Sequence, residues 1–77
     1  MKNPLEVLGK AIRSRREILG LSQEQLAEKT DFDRTYISML ERGTRNPSLL
    51  NLLRLANGLE TPISELIEVL DGIDPRR

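Results

Sequence analysis

Apolar residues recur along the chain at the spacing of helix faces, and no stretch of strand length alternates between apolar and polar positions. The apolar runs are separated by residues that start or stop helices, so the pattern predicts five short helices. Helix one is predicted to start near Pro4 and stop at Gly20, helix two to follow the cap Ser22 and end near Thr30, and helix three to follow the cap Asp33, run to Arg42 and stop at Gly43. Helices four and five are predicted at about Leu49 to Gly58 and Ile63 to Asp71. We therefore expect one compact all-α domain over residues 1–77, with a radius of gyration of about 11–12 Å and a frayed tail at about 72–77.

The helix starts carry capping residues. Asn3 precedes Pro4, which suits the first position of a helix. Ser22 is followed three residues later by Gln25, as in a capping box. The N-caps predicted for helices three and four are Asp33 and Ser48, and Thr61 and Pro62 are expected to open helix five.

One apolar stripe on each helix supplies the predicted core. The stripes are Leu5, Leu8, Ile12 and Leu19; Leu26 and Ala27; Ile37 and Leu40; Leu49, Leu52, Leu53, Leu55, Ala56 and Leu59; and Ile63, Leu66, Ile67, Val69 and Leu70. A chain of this size cannot easily bury all of the last two sets. Either the core is generous, or helices four and five form a homodimer surface, for which the candidates are Leu50, Leu53, Ile63, Ile67 and Leu70.

The composition excludes several kinds of chemistry. The chain has no Cys and no His, so cysteine zinc sites, disulfides and Cys or His nucleophiles are excluded. No metal cluster, glycine-rich phosphate loop or nucleophile–base spacing stands out, so we expect no metal, no cofactor and no enzymatic activity. The missing Cys and the lack of a signal-peptide or membrane-spanning stretch favour a cytoplasmic protein.

The charge is zero overall but unevenly distributed. Between Lys10 and Arg45 there are eight basic and six acidic residues, and between Asn46 and Arg77 three basic and five acidic ones. A neutral chain is a mild argument against nucleic-acid binding. The uneven distribution would nevertheless let the front half face phosphate while the back half does not.

The third predicted helix separates polar from apolar residues. Advancing 100° per residue, Ile37 and Leu40 fall on one arc, and the opposite arc carries Arg34, Thr35, Ser38, Met39 and Arg42. Arg34 can pair with guanine in the major groove and Thr35 can contact a base or a phosphate. Any amphipathic surface helix has such an arc. The preceding capped helix and three-residue turn make residues 22–42 a much more specific match to a DNA-binding helix-turn-helix.

The segments LSQEQLA, DRTYIS, LERG and NPSL resemble the helix-turn-helix family of phage lambda-type repressors and Cro proteins, often called the XRE family. The resemblance extends from about Leu8 to Leu70. Within the family, the run RTYIS with the following ERG and RN is most similar to the controller proteins of restriction–modification systems. It implies a five-helix lambda-repressor-like fold and a regulator that binds double-stranded DNA.

The resemblance also implies roles for particular residues. Those implied to read bases are Arg34, Thr35, Ser38 and Met39, and those assigned to the DNA backbone are Gln23, Tyr36, Arg45 and Asn46, to which the helix wheel adds Arg42. Plainer explanations stay open for some of them. Gln23 can be merely solvated, Arg45 and Asn46 can form an ordinary turn, and Tyr36 can pack at the edge of the core with its hydroxyl outward. Arg13 and Arg15 can likewise be ordinary solvated charges and not part of the site.

Arg16 and Glu41 match a family ion pair between helices one and three. Helix wheels place both residues beside their apolar stripes, so a half-buried pair with a structural role is expected. Two positions depart from the family pattern. Asp31 stands where the turn usually has Gly, and Glu60 stands where Gly often ends helix four, while Gly58 comes two residues early. Asp tolerates the left-handed conformation better than most residues, so modest strain is expected at Asp31.

Together these features predict a transcription regulator that binds a roughly palindromic operator as a homodimer, with two recognition helices about 34 Å apart. The alternative is an antitoxin or protein-interaction module whose apolar C-terminal helices bind another protein. The mass of the isolated protein in solution distinguishes the two.

Overall fold

Five α-helices joined by short loops, with one turn of 3₁₀-helix after the fifth, make up the part of the chain that the computed structural model describes, residues 3–76. The helices are α1 (Pro4–Ile18), α2 (Gln23–Thr30), α3 (Arg34–Arg42), α4 (Leu49–Gly58) and α5 (Ile63–Ile67), and the 3₁₀ turn is Glu68–Leu70. The all-α prediction is confirmed, and the radius of gyration is 11.6 Å. Within residues 3–76, no helix combines the length and the apolar composition needed to cross a membrane.

Three of the predicted N-caps bind backbone N–H groups through their side chains. Asn3 accepts from Leu5 at 2.9 Å, and Ser48 accepts from Asn51 at 3.1 Å. Ser22 and Gln25 form the reciprocal capping box, with distances of 3.0 and 2.8 Å. These bonds satisfy donors that a helix start would otherwise leave unpaired.

Asp33 is confirmed as the N-cap of α3, whereas the end of the fifth helix was predicted too far along the chain. Asp33 occupies the N-cap position of α3, but its side chain makes no capping bond; only its carbonyl joins the helix, accepting from Ile37 N–H at 3.2 Å. The fifth helix ends as an α-helix at Ile67 instead of near Asp71. Its last turn tightens into a 3₁₀ turn closed by the bond from Asp71 N–H to the carbonyl of Glu68 (3.0 Å), a common way to satisfy terminal carbonyls.

Side chains from four helices fill the centre of the core. The fully buried large residues are Ile12, Leu26, Ile37, Leu40, Leu55 and Leu59, and burying each contributes roughly 1.5–3 kcal/mol. Two glycines let helices approach closely around this core. A β-carbon at Gly9 of α1 would lie 2.5 Å from the carbonyl oxygens of Leu40 and Glu41 in α3, and one at Gly58 would collide with Thr30. The end of α3 is therefore held directly against α1.

Several of the leucines in α4 remain exposed to solvent. Leu49 and Leu50 are 67% and 71% exposed, and Leu53 is 39% exposed. Leu49 and Leu53, on the broad apolar stripe of helix four, are therefore exposed in a single copy, in line with the expectation that a chain of this size cannot bury the whole stripe. Ile63, Ile67 and Leu70 are half-buried and pack against the core.

The C-terminal tail lies near the start of α1. Residues 71–72 and 75–76 form turns, Pro75 borders a cleft together with Leu5 and Pro47, and Arg76 pairs with Asp74 at 2.9 Å. Arg77 lies outside the described residues, as do Met1 and Lys2, so the predicted fraying remains untested there.

Candidate nucleic-acid interface

The turn between α2 and α3 is fixed by backbone and arginine hydrogen bonds. Asp31 takes the left-handed conformation (φ 60°), and Phe32 N–H closes the turn on the carbonyl of Ala27 at 2.9 Å. Arg54 of α4 donates to the carbonyls of Thr30 and Asp31 at 2.8 and 2.9 Å. Its guanidinium also lies 4.0 Å from the centre of the Phe32 ring. These contacts from α4 stabilise the angle between α2 and α3.

The outer face of α3 presents the residues predicted to read bases. Ile37 and Leu40 are buried, and on the other side Arg34 and Thr35 are exposed in the first turn of the helix. Ser38 and Met39 are half-buried one turn later, and Arg42 is exposed in the last turn. Asp33 makes no capping bond, so its side chain does not occupy the first N–H groups of α3.

The loop after α3 is held against that helix by stacked side chains. Arg45 lies over the Tyr36 ring, 5.3 Å from its centre, and its guanidinium is 3.9 Å from the Met39 sulfur. The Tyr36 hydroxyl accepts from Asn51 of α4 at 3.0 Å, and its ring packs on Phe32 at 4.9 Å between centres. Tyr36 is half-buried, so it combines packing with an outward polar group, and Arg45 is exposed beside it.

Asn46 is exposed in the same loop, directly before the buried Pro47. Thr44 closes the preceding turn by donating twice, through its N–H and its hydroxyl, to the carbonyl of Met39 at 3.0 and 3.1 Å. The start of the loop is therefore tied to α3, and Arg45 lies against the Tyr36 and Met39 side chains of that helix.

The ion pair between Arg16 and Glu41 is present and nearly buried, with side-chain exposures of 11% and 4%. It is bidentate, with distances of 2.6 and 2.9 Å, and Arg16 also donates to the carbonyl of Leu21 at 2.8 Å. The hydrogen bond to Glu41 raises the pKa of Arg16 above its ordinary value. The pair links α1, the α1–α2 loop and α3, so it fixes the position of α3 relative to α1.

Gln23, the first residue of α2, is joined to that pair. Its side-chain amide donates to Oε1 of Glu41 at 3.1 Å, and the residue is half-buried. Gln23 is therefore not merely solvated. Its amide is held between the start of α2 and the last turn of α3.

Internal pairing uses several of the basic residues in the front half. Arg13 pairs with Glu17 on the surface of α1 at 3.4 Å, and Lys29 pairs with Glu60 at 2.6 Å. Arg15 donates to the carbonyls of Leu59 and Glu60 at 3.2 and 3.1 Å. Reading Arg15 as an ordinary solvated charge was therefore wrong, whereas Arg13 remains a solvated surface charge, 64% exposed in its side chain. Fewer basic residues of the front half are available to DNA than the residue count suggested.

Sequence reasoning missed Arg54 and Asn51, both on α4. Arg54 is bound to the α2–α3 turn and Asn51 to Tyr36, so both side chains contact the helix-turn-helix. The apolar stripe drew attention to the leucines of α4, and no spacing rule distinguishes these two polar residues from solvated ones. A non-glycine residue at position 31 was the available signal, because such a turn needs outside support.

The helix-turn-helix family model matches residues 12–66 of the chain. Among curated relatives, the control protein C.SmaI of Serratia marcescens is 47% identical over 62 residues, which cover 80% of this chain and 74% of that protein. Both matches include α2, α3 and most of the helices that support them.

Solved structures agree with this relationship. The restriction-modification controller protein C.AhdI from Aeromonas hydrophila superposes with a TM-score of 0.79 at 45% identity, covering 80% of this chain and 94% of that chain. The controller protein C.Esp1396I, solved as a tetramer in complex with its natural 35 base-pair operator, superposes with a TM-score of 0.80 at 36% identity, covering 91% and 92%. The lambda-repressor-like fold expected from the sequence motifs is confirmed.

Proposed function

The chain belongs to the helix-turn-helix family, and we propose that it is a sequence-specific transcription regulator that binds a roughly palindromic operator as a homodimer. The observation that carries this proposal is the exposure of Arg34 and Thr35 in the first turn of α3 while Ile37 and Leu40 anchor the same helix in the core. A recognition helix needs this arrangement, because its first turn enters the major groove while its back stays on the domain.

We assign base reading to Arg34, Thr35, Ser38 and Met39, and backbone contacts to Gln23, Tyr36, Arg42, Arg45 and Asn46. Phosphate contacts from α2 and from the loop after α3 would set the position of the protein on DNA. The first turn of α3 would then select the sequence.

The relatives support a narrower proposal. C.SmaI is named a control protein, and C.AhdI and C.Esp1396I are controller proteins of restriction–modification systems. We therefore infer that this chain controls the genes of such a system, working in the cytoplasm where its DNA is. It would act as a regulator without catalytic activity, and its own concentration would set the degree of dimerisation and operator occupancy.

In vitro selection of bound DNA from a random pool, repeated at two salt concentrations, tests the proposal. We expect a symmetric motif with two half-sites one helical turn apart, and an affinity that falls steeply with salt because phosphate contacts release counterions. A pool that shows no enrichment at either salt concentration would argue against specific DNA binding.

Replacing Arg34 by Ala tests the assignment of the base reader. Losing a bidentate pair with guanine should weaken operator binding by about 1–3 kcal/mol and relax preference at one base pair of each half-site. Arg13→Ala is the matched control, since it removes the same charge from an exposed pair on α1. Competition binding against single-base operator variants measures both effects. Unchanged discrimination in Arg34→Ala would show that another residue reads that base.

A further inference from the structure

We propose that Glu41 is a positioning residue for DNA binding, which orients the Gln23 amide toward a phosphate while Arg16 neutralises the Glu41 charge. The inference rests on the proposed function, because it concerns how the start of α2 meets the DNA backbone. It assigns the buried pair a part in recognition in addition to holding α1 against α3.

The hydrogen bonds around Glu41 provide the first argument. Oε2 of Glu41 accepts from Arg16, and Oε1 accepts from both Arg16 and Gln23. The pair therefore uses one of the two hydrogens on the Gln23 amide nitrogen, which fixes the plane of that amide. The other hydrogen stays available as a donor at the first residue of α2.

Charge provides the second argument. A carboxylate next to a DNA phosphate would repel it, and Glu41 is on the recognition helix itself. Arg16 engages both oxygens of Glu41 in a bidentate pair that is almost closed to solvent, so the pair presents little net charge. Because Arg16 neutralises the Glu41 carboxylate, Gln23 can be held by that carboxylate and still donate to a phosphate without the repulsion.

The hydrogen bond to Glu41 is made by Gln23 and is not shared by the nearby Gln25. Gln25 is on the same helix, and its side chain accepts from the backbone N–H of Ser22. Its amide oxygen is used for capping α2 and does not reach Glu41. Gln25 therefore serves as the matched control for effects that pass through Glu41.

A double-mutant cycle on the selected operator tests the proposal. The pair is replaced as a unit by R16M/E41L, because apolar residues of similar volume avoid leaving a buried charge unpaired. We expect this replacement to weaken operator binding about two- to tenfold when residue 23 is Gln, the factor that fixing one flexible side chain in advance is worth. In a Gln23→Ala background the same replacement should have almost no effect, whereas in a Gln25→Ala background the full loss should remain.

The outcomes separate the possibilities. A loss that is equal in all three backgrounds would mean that the pair acts only by holding helices together, and the inference would be wrong. If the parent protein binds no selected operator, it is the proposed function that fails. That result is distinct from an equal loss in all three backgrounds, which overturns only the role of Glu41.

A measurement on the unaltered protein avoids dependence on whether R16M/E41L folds. The side-chain amide of Gln23 should already be ordered in the free protein by ¹⁵N relaxation, in contrast to the exposed Asn57. It should change little in order when operator is added. A Gln23 amide as mobile as that of Asn57 in the free protein would overturn the proposal.

Discussion

Two residues of the described chain adopt the left-handed conformation without being glycine, and an arginine supports each of them. Asp31 (φ 60°) ends α2 and Glu60 (φ 55°) follows α4. Arg54 donates to the carbonyl of Asp31 and to the one before it, and Arg15 does the same at Glu60. These bonds satisfy carbonyls that a helix end leaves unpaired, so they offset part of the conformational cost of a side chain at such a position.

Asp31→Gly should therefore stabilise the protein. Glycine removes the left-handed penalty but adds freedom to the unfolded chain, and we expect a net gain of about 0.5–1 kcal/mol in the free energy of unfolding. Arg54 would keep its partners, since it binds backbone carbonyls at position 31. Urea denaturation measures the change. A loss of stability would indicate that the Asp31 side chain contributes an interaction that outweighs its strain.

Glu60 differs from Asp31 because its side chain is paired. The hydrogen bond and the charge of Lys29 lower the pKa of Glu60 below its ordinary value of 4.5. The folded protein therefore holds that proton less tightly than the unfolded chain does. The contribution of the pair is present above the ordinary pKa and is lost as pH falls through the lowered one.

Glu60→Gln tests this pH dependence. The variant should melt at a lower temperature than the parent near pH 7, and the gap should close as the pH is lowered well below 4.5. One molar salt should also narrow the gap near pH 7, because the pair is exposed to solvent and is screened. Thermal melts across the pH range measure it. A gap that persists at low pH would mean that the Lys29 interaction is not its cause.

At the level of elements, helix position and order could be predicted from the sequence, but the supports between helices could not. Caps such as Ser22 and Ser48 act within a few residues, so their signals are local and the helix starts followed from them. The contacts of Arg15 and Arg54 with distant carbonyls depend on how helices pack. Nothing near either arginine in the chain distinguishes such contacts from solvation.

In the candidate site, too, features within one helix could be predicted from the sequence, whereas contacts between helices could not. The outward placement of Arg34 and Thr35 could be deduced from a helix wheel, because Ile37 and Leu40 must face inward. The link from Gln23 to Glu41 joins two helices through a hydrogen bond that no periodicity encodes. The fifth helix was predicted too long for a related reason, because the apolar pattern continues to Leu70 while the backbone there tightens into a 3₁₀ turn.

For the whole molecule, the apolar surface of α4 is the feature that a single copy leaves unexplained. Leu49, Leu50 and Leu53 expose a contiguous part of a ten-residue helix, and they lie at the first turns of α4, next to the loop that carries Arg45 and Asn46. Two copies joined through this surface would place their recognition helices in a fixed relation. A palindromic operator requires such a relation.

Leu50→Glu should convert a dimer into a monomer. A twofold interface contains the residue twice, and losing the burial of two leucines should weaken dimerisation at least about 100-fold. Folding of each copy should be unaffected, because Leu50 is 71% exposed. Ile18→Glu is the matched control, since Ile18 is 69% exposed but lies at the end of α1. Sedimentation equilibrium gives the mass, and operator binding should weaken only in Leu50→Glu. A parent protein that stays monomeric at high concentration would favour an interaction module that needs a different partner chain.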